Sequence, residues 1–308
     1  MGVEGVVSTD VLANALAAMR EDVDKHFDLL LPVPEDARKQ LFLAMRHAAI
    51  GGGKRLRPLL LTAVAQMFGV KRDAAVRAGC AVEAIHVYSL IHDDLPCMDD
   101  DDLRHGRPTV HLEFDEATAV LAGDALHALA FDILVSAQVS TDPFVRAELV
   151  ATLARASGMD GMAGGQMMDM MAEQAGSGEE GFDLHTVTRL QQLKTGALLG
   201  ASVEMGAILG RVPPEGRTHL RSYARDIGLA FQIADDLLDH EGDEALAGKA
   251  LRKDADAGKA TFVSLLGADR AREQAEMLVN QAIGHLANHG DEAEVLRAIA
   301  RYIVERDR

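Results

Sequence analysis

The chain has 308 residues, 48% of them hydrophobic and only 4% aromatic, with no Trp and a formal net charge of −17. That length supplies a sizeable core packed by Ala, Leu, Val and Met, and large all-helical folds reach it as one domain. So acidic a chain lacks the basic face a phosphate backbone needs, which argues against nucleic acid as a partner. A small anionic ligand could be held only through metal or a local basic cluster.

Residues 1–10 carry neither a basic segment nor a long apolar run, so no secretory leader is expected. Apolar residues then recur at three- and four-residue spacing through 11–31, 37–50, 59–68, 74–95, 117–139, 145–172, 184–209, 216–238, 260–286 and 291–304. Between these stretches fall Pro32 to Pro34, Gly51-Gly52-Gly53, Pro108, a Gly-Ser-Gly segment at 176–178, Pro213-Pro214 and a polar run at 241–258. Strand-like alternation is nearly absent, and no linker or repeat divides the chain. The pattern predicts a single all-α domain over 1–308, a bundle of about ten helices. No uninterrupted apolar run approaches the roughly 18 residues needed to span a bilayer. The two cysteines, Cys80 and Cys97, have no metal-ligand spacing. Reduced thiols, a cytoplasmic location and no stable membrane insertion are therefore expected.

Two aspartate clusters break this apolar pattern, Asp93-Asp94-Leu95-Pro96-Cys97-Met98-Asp99 and Asp235-Asp236-Leu237-Leu238-Asp239. Each follows an apolar helical stretch. Carboxylates that close together repel, and burying an unpaired one is costly. Divalent metal relieves both problems, and Mg2+ commonly bridges one or two carboxylates to phosphates of a substrate. On a helix, Asp235 and Asp239 lie about 40° apart and Asp236 about 60° beyond Asp239, so one turn presents three carboxylates. In the first cluster Pro96 should end the helix near Asp94, and a short loop can bring Asp99 back beside Asp93. The run Asp99 to Asp102 also reads as an ordinary solvated acidic surface.

Basic elements complete the pattern. Gly51-Gly52-Gly53-Lys54-Arg55-Leu56-Arg57-Pro58 is a flexible glycine run followed by three cations, without the spacing of a Walker loop. It suits close backbone approach and forked contacts to an anion, though a plain surface loop reads the same way. Lys194-Thr195-Gly196 interrupts an apolar stretch, where an unpaired Lys is costly unless its head snorkels to water. Arg104, His105 and Arg107 follow the first acidic cluster, and Lys249, Lys253 and Lys259 follow the second.

With these residues in place, the chain resembles the trans-isoprenyl diphosphate synthases, and among them the bacterial farnesyl diphosphate synthase group. The likeness rests on GGGKRLRP (51–58), EAIHVYSLIHDDLPCMDDDDLRHGRPTVH (83–111), LAGDAL (121–126), GMAGGQMMD (161–169), KTGALL (194–199) and GLAFQIADDLLD (228–239). The resemblance implies an all-helical, usually homodimeric fold around a deep central cavity, with the two aspartate motifs facing each other at its mouth. It implies three Mg2+ ions, with Mn2+ as a substitute, gripping an allylic diphosphate (dimethylallyl or geranyl). By the same resemblance Asp93, Asp99 and Asp235 are the main metal ligands, supported by Asp94, Asp236 and Asp239. Arg104, Lys194, Lys249 and Lys259 would contact diphosphate, and Thr195 and Gln232 would line the reacting centre. Lys54, Arg57 and His86 would receive isopentenyl diphosphate without metal. One departure stands out: His105 replaces a usual second arginine, and histidine is charged only part of the time at neutral pH. Weaker, more pH-dependent binding of isopentenyl diphosphate is expected.

The implied reaction ionises the allylic diphosphate, and the isopentenyl double bond attacks the resulting carbocation before a proton is lost. Water would quench the cation, so an apolar pocket is required. The helix containing residues 81–95 and the Met-rich segment 159–171 could wall it, although most of those methionines read as ordinary core filling. Tyr88 lies about 7.5 Å below Asp93 on a straight helix, off the Asp93 stripe. In the resembled family a bulky aromatic there accompanies fifteen-carbon products, so Tyr88 with Ser89 is read as the floor that limits chain length. The alternatives are a twenty-carbon geranylgeranyl diphosphate synthase, a class I terpene cyclase, and an inactive partner subunit. A cyclase would lack the Lys54/Arg57 pocket and the second aspartate cluster. An inactive subunit typically loses an aspartate motif.

Overall fold

The computed structural model describes residues 3–175, 182–241 and 261–305. It is all-α, 78% helical. Among the described residues the exception is a hairpin of two-residue strands, β1 (Leu103–Arg104) and β2 (Arg107–Pro108), pairing antiparallel with Leu103 opposite Pro108. The helices are grouped in two compact units, one of Met1–Leu12, Thr152–Glu204 and Val212–Arg308, the other of Ala13–Ala151 with Met205–Arg211.

In the second of these, α1 (Val3–Leu30) from Ala13 on, α2 (Lys39–Ala49), α3 (Leu56–Met67), α4 (Arg72–Asp93), α5 (Val110–Glu113) and α6 (Glu116–Val135) precede α7 (Pro143–Ser157), which belongs to it as far as Ala151. The core runs along α4, where Ala75, Val76, Ala78, Cys80, Ala81, Val82, Ala84 and Ile85 are all buried. Small residues let α3 and α6 close on it, and a Cβ on Gly79 would meet Pro58 at 3.0 Å. α4 stops at Asp93 because Leu95 precedes Pro96, which disfavours helical backbone at that residue. α6 starts where Asp115 accepts a hydrogen bond from the Thr118 amide at 2.7 Å, an N-cap. By length and composition α4 and α6 could each cross a membrane, but 67% of the apolar window of α4 is buried inside the protein. That is the behaviour of a core helix.

The other unit holds α8 (Met162–Ala175), α9 (Leu184–Gln191), α10 (Ala197–Leu209) as far as Glu204, α11 (Thr218–Glu241), α12 (Phe262–Leu266), α13 (Ala268–His285) and α14 (Glu294–Glu305). Tyr223 of α11 is fully buried and donates its hydroxyl to the Leu296 carbonyl at 2.7 Å, fixing α14 across α11. Three apolar stretches expected to be continuous are broken. The stretch 145–172 divides at Gly158–Gly161, where amides turn back onto Gly158. Residues 184–209 are interrupted by a π turn at Gln192–Gly196. Residues 260–286 break at Gly267, whose φ of +82° ends α12 behind a Thr261/Ser264 capping box. Periodicity alone does not register a break of one or two residues that keeps the apolar face in phase.

Candidate active site

The first aspartate motif sits at the end of α4. Its loop folds back so that the Asp99 amide donates to the Asp93 carbonyl at 2.8 Å, bringing the two residues together as the sequence suggested. Asp94 turns the other way. Its side chain is 4% exposed and accepts from Arg104, from Nε at 2.9 Å and from Nη2, while Asp101 takes Nη2 at 3.0 Å. Burial holds the Asp94 carboxyl above the ordinary carboxylate value, with Arg104 opposing and Asp101 and Asp99 adding to it. Asp100 and Asp102 are exposed, in keeping with a solvated run.

Arg104 is carried by β1, and the turn after it is His105-Gly106, with φ of +53° and +75°. Two consecutive positive φ values are the pattern of a tight I′ hairpin turn, and histidine tolerates that region better than most residues. The turn lays the His105 ring on the glycine run, 3.2 Å from where a Cβ on Gly52 would stand. Arg55, one of the three cations read from the sequence, points inward. Its side chain is 1% exposed and donates to Glu83 and Asp24, both at 2.9 Å, and to the Ala49 carbonyl at 2.6 Å. Burial disfavours its charge, but Glu83 and Asp24 more than offset this and raise its pKa. Neither acidic partner was anticipated; a buried Glu in the apolar face of α4 was the available signal.

His86, Arg57, His105, Arg55 and Arg104 feel one another's charge. Burial first, then these cations, push the His86 pKa well below its ordinary value. His105 is lowered as well, by burial and then by Arg104 and Arg55, with Glu83 opposing. These residues, drawn from separate motifs, lie near one another within one unit. Tyr88, below Asp93 on α4, has its phenol pKa raised by burial and by the Asp93 charge.

In the other unit, Lys194 and Thr195 lie in the π turn, a feature that often marks functional positions. Lys194 Nζ donates to Asp169 Oδ2 of α8 at 2.5 Å, so it is paired rather than snorkelling. Asp169 closes the segment GMAGGQMMD (161–169), and its partner lies 25 residues on, beyond the reach of local spacing. α8 crosses the turn so closely that a Cβ on Gly165 would stand 2.2 Å from the Lys194 nitrogen, and one on Gly228 of α11 would meet the Gly196 Cα at 3.5 Å. Further along α11 Gln232 is buried, and Asp235 and Asp239 are partly exposed one turn apart. Asp236 is 7% exposed and accepts from the Phe262 amide at 2.8 Å. Lys249 and Lys259, and Lys253 between them, lie outside the described residues. Among the methionines expected mostly as core filling, Met162 is buried, whereas Met159, Met167 and Met171 are exposed.

Among the described residues no three His, Cys, Asp or Glu side chains converge as a ready-made metal site. Each motif offers an all-oxygen pair, Asp93 with Asp99 and Asp235 with Asp239. That donor set fits Mg2+, which keeps several waters and completes its shell with substrate phosphates.

The all-α fold and these residues define a prenyltransferase. A polyprenyl synthetase family model matches residues 38–302, and the chain belongs to that family. Its members are generally Mg2+-dependent. The chain is 45% identical over 269 residues to the farnesyl diphosphate synthase of Escherichia coli, covering 86% of this chain and 88% of that one. It is also 45% identical over 267 residues to the chloroplastic geranylgeranyl pyrophosphate synthase of Catharanthus roseus, covering 86% and 73%. A crystal structure described as a FPP/GFPP synthase from Zymomonas mobilis superposes with a TM-score of 0.87 at 57% identity, covering 96% of this chain and 99% of that one.

Proposed function

We propose that the chain condenses dimethylallyl and then geranyl diphosphate with isopentenyl diphosphate, releasing diphosphate and giving farnesyl diphosphate. The observation that carries this reading is an arrangement made twice. Each aspartate motif ties its second carboxylate to the protein and leaves its first and last partly or fully exposed. Asp93 with Asp99 and Asp235 with Asp239, supported by Asp94 and Asp236, would hold Mg2+, three ions in all with Mn2+ as a substitute, and the metal would supply charge to stabilise the departing diphosphate.

Arg104, fixed by Asp94 and Asp101, and Lys194, steadied by Asp169, contact the allylic diphosphate, joined by Lys249 and Lys259. Lys54, Arg57, His86 and His105 receive isopentenyl diphosphate. With its pKa lowered, His86 is a neutral hydrogen-bond donor rather than a cation. The C1–O bond of the allylic substrate breaks, its C1 bonds to C4 of isopentenyl diphosphate, and the proton lost from C2 restores the double bond. Thr195 and Gln232 would line the reacting centre. Tyr88, with Ser89 beside it, stops the tail at fifteen carbons.

That residues 1–308 act as one catalytic domain, in the cytoplasm, is part of the same proposal. So is a homodimer, supported by the apolar surface of α6, where Val120, Leu121 and Val135 are 41, 56 and 54% exposed. A twenty-carbon product is the second reading, because the Catharanthus roseus relative matches the chain as well as the Escherichia coli one. The test offers the purified chain dimethylallyl, geranyl or farnesyl diphosphate with labelled isopentenyl diphosphate. Use of the first two and stalling on the third supports the proposal. Equal use of farnesyl diphosphate transfers it to the second reading.

A further inference from the structure

The Tyr88 ring is held by α6. It meets the His127 ring edge-to-face, with centroids 5.0 Å apart at 90°, and His127 in turn meets Phe131 at 5.3 Å and 70°. On α4 itself Tyr88 touches His92 one turn on, at 5.7 Å.

The register between the helices is set above this layer. His92 Nε2 donates to the Val120 carbonyl at 3.1 Å, and the ring fills a notch left by Gly123, where a Cβ would stand 2.1 Å away. Moving one turn back on α4, from His92 to Tyr88, moves one turn forward on α6, from Gly123 to His127. One further turn back α4 offers only buried Ala84, while α6 offers Phe131. Below Asp93 the bulk therefore crosses from α4 to α6 at the Tyr88–His127 contact.

A lone tyrosine can swing about χ1 and open the path beneath it. The His127 ring, packed at right angles with its centroid 5.0 Å away, would hinder that swing. We propose that His127 is a second determinant of product length, a positioning residue that keeps Tyr88 across the path of the growing chain. This rests on the reading of Tyr88 as the fifteen-carbon stop. His127 is exposed within the single chain, so its truncation opens no cavity in that chain's own core and the fold should tolerate it.

The experiment compares the wild-type chain with His127→Ala, His127→Phe and Tyr88→Ala, giving each geranyl diphosphate and labelled isopentenyl diphosphate and separating products by length. His127→Ala should raise the share of products longer than fifteen carbons roughly tenfold, the discrimination a few atoms of pocket wall provide. It should leave kcat for the first addition within about threefold. His127→Phe should restore the wild-type lengths, which a merely structural role would not require. Unchanged lengths in His127→Ala, or lengthening by His127→Phe equal to that by His127→Ala, would overturn the inference. A wild-type product other than fifteen carbons, or Tyr88→Ala without lengthening, would instead fault the reading of Tyr88.

Discussion

The six motif aspartates divide by their burial. Asp94 is buried on Arg104 and Asp236 is buried on the Phe262 amide, whereas Asp93, Asp99, Asp235 and Asp239 retain solvent access. Asp94→Ala should destabilise the chain by about 3–5 kcal/mol, the usual cost of removing one partner from a buried pair. Asp93→Asn should leave the melting temperature nearly unchanged while lowering kcat roughly 10²- to 10³-fold, as losing one charge-stabilising group does. Thermal melts alongside turnover separate the two; equal melting losses would refute the division. Sequence spacing found all six carboxylates but could not rank them, because rank depends on Arg104 and Phe262, ten and 26 residues away. His105 gives a pH prediction at the same scale. Its lowered pKa keeps it neutral near pH 7, and it gains charge only as pH falls below the ordinary imidazole range. The KM for isopentenyl diphosphate of the wild type, divided by that of His105→Arg, should therefore exceed one at pH 8 and shrink toward one at acid pH. A ratio independent of pH would remove His105 from that pocket.

At the scale of elements, the π turn holding Lys194 and Thr195 is fixed by backbone contact with α8 at Gly165 and by close approach of α11 at Gly228. Gly165→Ala would drive a methyl into the Lys194 backbone, so the turn must shift. It should cost about 1–3 kcal/mol, the range for overpacking, and reduce kcat more than it raises KM. Wild-type kcat in this variant would show that the turn is not held there. The helices were legible because their apolar faces keep a 3.6-residue period. The π turn was not, since one inserted residue leaves the flanking periodicity intact. The hairpin of residues 103–108 was also missed, because its strands are two residues long and its signal is the pair of positive φ values at His105-Gly106. The role of Arg55 is hidden from the sequence for a related reason. Composition marks a cation, but only the fold shows Glu83 and Asp24 waiting beneath it, and Glu83→Ala should destabilise the chain by about 3–5 kcal/mol in chemical denaturation.

For the whole molecule, a chain with a net charge of −17 is proposed to hold two diphosphate substrates by two distinct means. Paired carboxylates with Mg2+ would serve the allylic substrate, and Lys54 and Arg57 with the neutral rings of His86 and His105 would serve isopentenyl diphosphate. Chelation should therefore abolish turnover while leaving isopentenyl diphosphate binding largely intact, which equilibrium binding with excess EDTA can check. The most direct measurement incubates the purified chain with geranyl diphosphate, labelled isopentenyl diphosphate and Mg2+, then reads the labelled product by length. A fifteen-carbon diphosphate, formed with one isopentenyl unit per geranyl unit and absent under EDTA, is the predicted result. Consumption of geranyl diphosphate without uptake of label, or condensation that persists without divalent metal, would contradict it.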